Sequence, residues 1–159
     1  MNEELLISYS FQPSWKYVEE IRGKTQEFLF ERVENKDLHY DTIMCVSELA
    51  ENAIKYGTEK PDGSPIDFNF FFHDDTIFIQ ISNGILSKDH LENVQHVIDK
   101  IKASDNPGEL YIDRLKELME SPHPGESQLG LYRIVYEGGF SLDYTWDEKV
   151  LIISAEKSI

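Results

Sequence analysis

Apolar positions change their period along the chain, and each change marks an element. Leu5 to Phe11 (LLISYSF) is a short β-prone run stopped by Gln12-Pro13-Ser14, which predicts a strand and then a helix start. From Trp15 to about Val33, Trp15, Val18, Ile21, Phe28 and Leu29 fall mostly on one helical face, with charges between them. Asn35-Lys36-Asp37 breaks that pattern. Asp37 is placed to cap a second helix, which runs to Tyr56 and stops at Gly57, read here as a C-terminal glycine with positive φ. After the turn chemistry of Thr58 to Pro65, Ile66 to Phe72 and Thr76 to Ser82 read as two strands of a hairpin joined by His73-Asp74-Asp75, with Asn83-Gly84 ending it.

Two amphipathic stretches follow, Lys88 to Lys102 and Glu109 to Met119, divided by Ser104-Asp105-Asn106-Pro107-Gly108. They predict a helical cover. A Pro- and Gly-bearing loop, Ser121 to Ser127, leads into a helix from Gln128 to about Glu137. Phe140 to Trp146 and Lys149 to Ala155 then form a final hairpin turning at Asp147-Glu148. Strand, helix, helix, hairpin, helices and hairpin in this order predict an α+β two-layer sandwich, a mixed but mostly antiparallel sheet with helices on one face.

Composition narrows what such a domain can do. The 159 residues favour a single domain, and 40% hydrophobic content supplies a core despite a net charge of −15. No basic cluster interrupts that acidity, which argues against a nucleic-acid partner. The longest apolar runs fall far short of the roughly 20 residues that span a bilayer, so no membrane role is expected. Met1 is followed by Asn2-Glu3-Glu4 rather than a basic leader, and the lone Cys45 can form no internal disulfide. Both fit a soluble cytoplasmic protein. The five histidines show no metal-ligand spacing.

Candidate chemistry concentrates on the second helix. Glu48, Asn52 and Lys55 lie at i, i+4 and i+7 and share one stripe, while Ile43, Val46, Leu49, Ala50 and Ala53 form the apolar stripe opposite. A carboxylate, an amide and an ammonium on one face suit a Mg²⁺–phosphate site: the amide oxygen is a hard ligand, the ammonium counters phosphate, and the carboxylate can deprotonate a hydroxyl. Solvated helix faces carry the same residue types, so the spacing alone leaves both readings open.

The segment Ser47 to Gly57 (SELAENAIKYG) resembles the N-box of the GHKL ATP-binding superfamily, whose N-box helix is followed by a hairpin, a DxG motif, a lid and a second glycine motif. The order here is similar. The resemblance implies a Bergerat-type fold, ATP and Mg²⁺ as cofactors, Asn52 as the metal ligand, Glu48 as general base and Lys55 near the phosphates. It also implies that 1–159 is one domain with a lid-like helical insert at about 86–124. Gly125-Glu126-Ser127-Gln128-Leu129-Gly130-Leu131 is similar to the second glycine motif, with Gln128 in place of a glycine. A glycine loop opening a helix independently offers free N–H donors and a positive dipole end to an anion.

At the first glycine motif the chain has Ser82-Asn83-Gly84, so Ser82 stands where the family places its adenine-binding aspartate. A neutral group there makes a weaker purine contact. Within the superfamily the chain most resembles the small SiaB-type proteins and the anti-sigma-factor serine kinases. That implies a bacterial regulator that phosphorylates or sequesters a small antagonist or sigma-regulator-type protein, and it leaves a homodimer open. Two further expectations stand beside it: a catalytically silent protein-binding module of the same fold, favoured by Ser82, and a small-ligand sensor in the same cleft.

Overall fold

The computed structural model describes residues 5–120, 129–147 and 149–159. Its elements run β1 (Leu5–Phe11), α1 (Lys16–Arg32), α2 (Lys36–Tyr56), β2 (Gly57–Thr58), β3 (Ile66–His73), β4 (Thr76–Ile85), α3 (Lys88–Ala103), α4 (Pro107–Glu120), α5 (Leu129–Tyr136), β5 (Ser141–Trp146) and β6 (Val150–Ser158). The strands lie in the order β1-β3-β4-β6-β5, with β2 also paired to β4. Every pairing among the described strands is antiparallel, so the expected sheet is present without a parallel component.

Period-two alternation sorts the two faces of this sheet. Ile66, Phe68 and Phe70 of β3, Ile77, Ile79 and Ile81 of β4, and Leu151, Ile153 and Ala155 of β6 are buried under the helices. The alternate residues form a largely polar face knit across strands. Ser8 Oγ donates to Asn69 Oδ1 at 3.0 Å, Ser10 Oγ to Asp67 Oδ1 at 2.6 Å, and Gln80 Nε2 to Ser154 Oγ at 3.4 Å. The hairpin between β3 and β4 turns at Asp74 and Asp75, both with positive φ (47° and 58°), as a two-residue turn matching strand twist requires.

Helix α2 is the centre of the other layer. Its N-cap is Asn35 rather than the expected Asp37: the Asn35 side chain accepts from the backbone N–H groups of Asp37 and Leu38. At the other end Gly57 is extended (φ −97°, ψ −177°), not left-handed. The glycine is needed for proximity instead, because a Cβ there would run into the Ala53 carbonyl and the Asn83 amide. Strand β4 continues through Asn83-Gly84 to Ile85, past the expected end of the hairpin, and the continuation pairs with β2.

The segment expected as a lid divides in two. Helix α3 buries His90, Leu91, Val94, Val97, Ile98 and Ile101 and belongs to the core layer, while α4 packs on α5. Trp15, expected on the apolar face of the first helix, stands at its N-cap and is 56% exposed.

Candidate functional site

Helix α2 faces the sheet with its apolar stripe and α5 with its polar one, so the predicted polar face is an inter-helix surface. Glu48 lies where the two helices meet. Its Oε1 accepts a hydrogen bond from Arg133 Nη1 at 3.0 Å, and its Oε2 rests where a Cβ on Gly130 would be. A side chain at 130 would displace this carboxylate from its place. One turn along α2, Asn52 Oδ1 is buried and has no hydrogen-bond partner among the described residues. Lys55, a further turn on, is exposed, its Nζ 5.0 Å from the centre of the Tyr56 ring.

These groups wall a cleft of about 180 Å³ together with Trp15, Glu51, Leu129 and Leu131. On the far side of Glu48 a second groove of about 450 Å³ runs between α1 and α2, lined by Arg22, Tyr40, Met44, Ser47 and Arg133. Glu48 and Glu51 border both, so the Glu48 carboxylate can be approached from two directions.

Burial holds the Glu48 carboxyl above its ordinary value, and the neighbouring Glu51 charge pushes it further up; Arg133 opposes both. Its proton affinity is therefore raised in the sense a general base uses. Cys45, one turn before, is fully buried and its thiol is pushed far up by desolvation, which makes it a core residue rather than a nucleophile.

Of the residues singled out in the sequence, Glu48, Asn52, Lys55, Leu129 and Gly130 come together. Ser82, Asn83 and Gly84 do not join them. Ser82 pairs with Asp67 and Ile152 on the polar face of the sheet, the side away from α2, so alternation removes it from the cleft. Asn83 points to the helix side but is 3% exposed and spends its Nδ2 on the Gly84 carbonyl at 2.8 Å. Gly84 is closed in by the Glu59 carbonyl. Ser82 thus lies between β3 and β6 on the far face of the sheet, and Asn83 and Gly84 are packed in at the β2–β4 junction. Gly125 and Gln128 lie outside the described residues.

The sequence reading missed Arg133 and Glu137. Gly130, Arg133 and Glu137 are spaced i, i+3 and i+7, so their common face was legible. That this face meets Glu48 is a matter of packing between helices far apart in the chain.

Asn52 meets one requirement of a hard-cation site, a buried oxygen ligand unclaimed by the described residues. No group of three or more His, Cys, Asp or Glu side chains that could hold a metal occurs among the described residues. A single amide oxygen is compatible with Mg²⁺, which takes few protein ligands and completes its shell with phosphate and water.

Among solved structures, the chain is similar to a chain of the SiaB–SiaC complex from Pseudomonas aeruginosa, with a TM-score of 0.71 and 15% identity over 95% of this chain and 88% of that one. The α+β fold is thus one found in that assembly. No protein-family model and no curated protein matches the sequence. No helix among the described residues is long and apolar enough to cross a membrane.

Proposed function

We propose that the chain is a regulatory protein of the GHKL, SiaB-like kind, an ATP-dependent Ser/Thr protein kinase acting on a small partner protein. The observation that carries this reading is the unpartnered, buried Asn52 Oδ1 one helical turn from Glu48. A protein leaves such an oxygen unpaired at a cost of about 1–3 kcal/mol, and a cation shared with a phosphate would remove that cost.

Glu48 takes the proton of the acceptor Ser or Thr as the hydroxyl oxygen bonds to the γ-phosphorus and ADP leaves. Lys55 offers a mobile positive charge at the open end of the cleft, and the N-terminal end of α5 adds the positive pole of its dipole. Mg²⁺ held through Asn52 would neutralise charge on the transferring phosphate. The partner hydroxyl reaches Glu48 from the α1–α2 groove, where Tyr40 is 63% exposed and Arg22 and Met44 line the wall. Tyr and Arg are residue types on which protein interfaces concentrate their energy. A two-protein complex among the similar structures supports a protein partner.

A second reading, a nucleotide-free module that sequesters its partner, is favoured by Ser82 facing the far side of the sheet and by the engagement of Glu48 with Arg133. Calorimetric titration with ATP, with and without Mg²⁺, separates the two. Micromolar to submillimolar binding that requires Mg²⁺, followed by phosphate transfer that Glu48→Gln abolishes without loss of binding, is expected for the kinase. Absence of binding to folded, nucleotide-free protein selects the module.

A further inference from the structure

Arg133 is divided between two carboxylates. Its Nη1 donates to Glu48 Oε1 at 3.0 Å, and its Nε to Glu137 Oε2 at 2.6 Å. Glu137 in turn accepts from the Tyr111 hydroxyl at 3.4 Å, and Tyr111 packs on Tyr136 with ring centres 5.0 Å apart. A continuous polar path therefore runs from α4 through the residue after α5 to the carboxylate on α2. Gly130 and Arg133, one turn apart on α5, grip Glu48 from two sides: the glycine leaves room for Oε2, and the guanidinium fixes Oε1. A guanidinium has a rigid planar fork, and two acceptors on different edges set its orientation more tightly than one.

We propose that Arg133 is a positioning residue of this site, a guanidinium held between Glu48 and Glu137 that fixes where the Glu48 carboxylate lies and ties it to α4. The proposal rests on the kinase reading for its catalytic meaning, while the geometry it describes can be tested without nucleotide. Arg133 and Glu137 act on Glu48 in opposite senses, the guanidinium favouring its charged form and Glu137 disfavouring it, both by its own charge and by drawing on the same guanidinium. Among the described residues, the other charged or titratable groups around Glu48 are Glu51, Lys55 and Cys45 on α2, Arg22 on α1, Tyr111 on α4 and Tyr40, beside Arg133 on the groove wall. None of them is altered in the variants used.

The test is a ¹³C NMR titration of the Glu48 side-chain carboxyl in the whole chain, with its signal assigned by its loss in Glu48→Gln. Arg133→Gln is expected to move the midpoint to higher pH by about one unit, the lower end of what an adjacent guanidinium exerts. Glu137→Gln is expected to move it to lower pH, and Arg133→Lys to leave it between wild type and Arg133→Gln. A merely structural role would disturb α5 in both variants and shift the midpoint in the same direction or not at all, and either result overturns the proposal. Should Arg133→Gln fail to fold, Glu137→Gln and Arg133→Lys still decide the sign. In the phosphate-transfer assay the acid limb of the rate profile is expected to follow the same shifts with the affinity for Mg²⁺–ATP unchanged. Opposed NMR shifts without any transfer would retain the positioning and refute the kinase reading; transfer with unmoved midpoints would do the reverse.

Discussion

Asn52 and His90 show how single side chains trade stability against chemistry. Asn52 Oδ1 makes no hydrogen bond among the described residues, so Asn52→Ala removes an unsatisfied oxygen and installs a better helix former. The expected result is unchanged or higher stability, by up to about 1–2 kcal/mol in urea unfolding, with loss of Mg²⁺-dependent nucleotide binding. An essential structural role would instead make the variant markedly less stable. His90 is 5% exposed and stacked on Tyr56 at 4.3 Å, and desolvation drives its pKa from 6.5 down to about 4. The native state therefore keeps it neutral while the unfolded chain protonates it. Its contribution is intact above pH 6.5 and is lost as the pH falls towards about 4, a change of about 3 kcal/mol. Chemical denaturation across that window should show the decline in wild type and a shallower one in His90→Gln. At this scale the polar stripe of α2 was readable because helical period alone fixes which residues share a face. The burial of Asn52 was not, since it depends on what packs opposite.

Elements were located more accurately than they were terminated. The strands and helices lie where the hydrophobic period put them, but Asn35 rather than Asp37 caps α2, and β4 runs on through Asn83-Gly84. Both differences arise from local rules that several neighbouring residues could satisfy, with tertiary contacts making the choice. Gly57 is the clearest case. A glycine at a helix end reads as a left-handed cap, yet here the backbone is extended and the missing side chain makes room for Asn83. Gly57→Ala should cost about 1–3 kcal/mol through overpacking, a penalty reduced in an Asn83→Ala background, which clears the amide but leaves the Ala53 carbonyl in place. Thermal unfolding of the two single variants and the double measures that coupling. The reading of Ser82 as a cleft residue failed for a similar reason: one position of register in a strand exchanges the two faces of a sheet.

The whole molecule carries 30 acidic against 15 basic side chains, and several of the ion pairs among the described residues are exposed on both sides. Self-repulsion at this charge works against compactness and is screened by salt. Raising NaCl from about 0.05 to 0.5 M is expected to raise Tm by a few degrees, read by circular dichroism; a flat or falling Tm would mean that attractive pairs outweigh the net charge. The α+β class was legible from element order. Strand order, the integration of α3 into the core and the meeting of α2 with α5 were not, because each joins segments that no local pattern relates.

That strand order also has a consequence in time. β4, at the centre of the sheet, has β3 beside it almost at once in the chain, but its other flank is β6, whose residues Ala155 and Ile153 lie opposite Ile79 and Ile81. Two helices of α3–α4, then α5 and β5, are synthesised between the two. Until β6 arrives, one edge of this central strand stays unpaired, and closing it means joining segments some seventy residues apart. The slow step of folding is therefore expected to be the docking of the last hairpin, with the nascent or refolding chain most prone to aggregate while it waits.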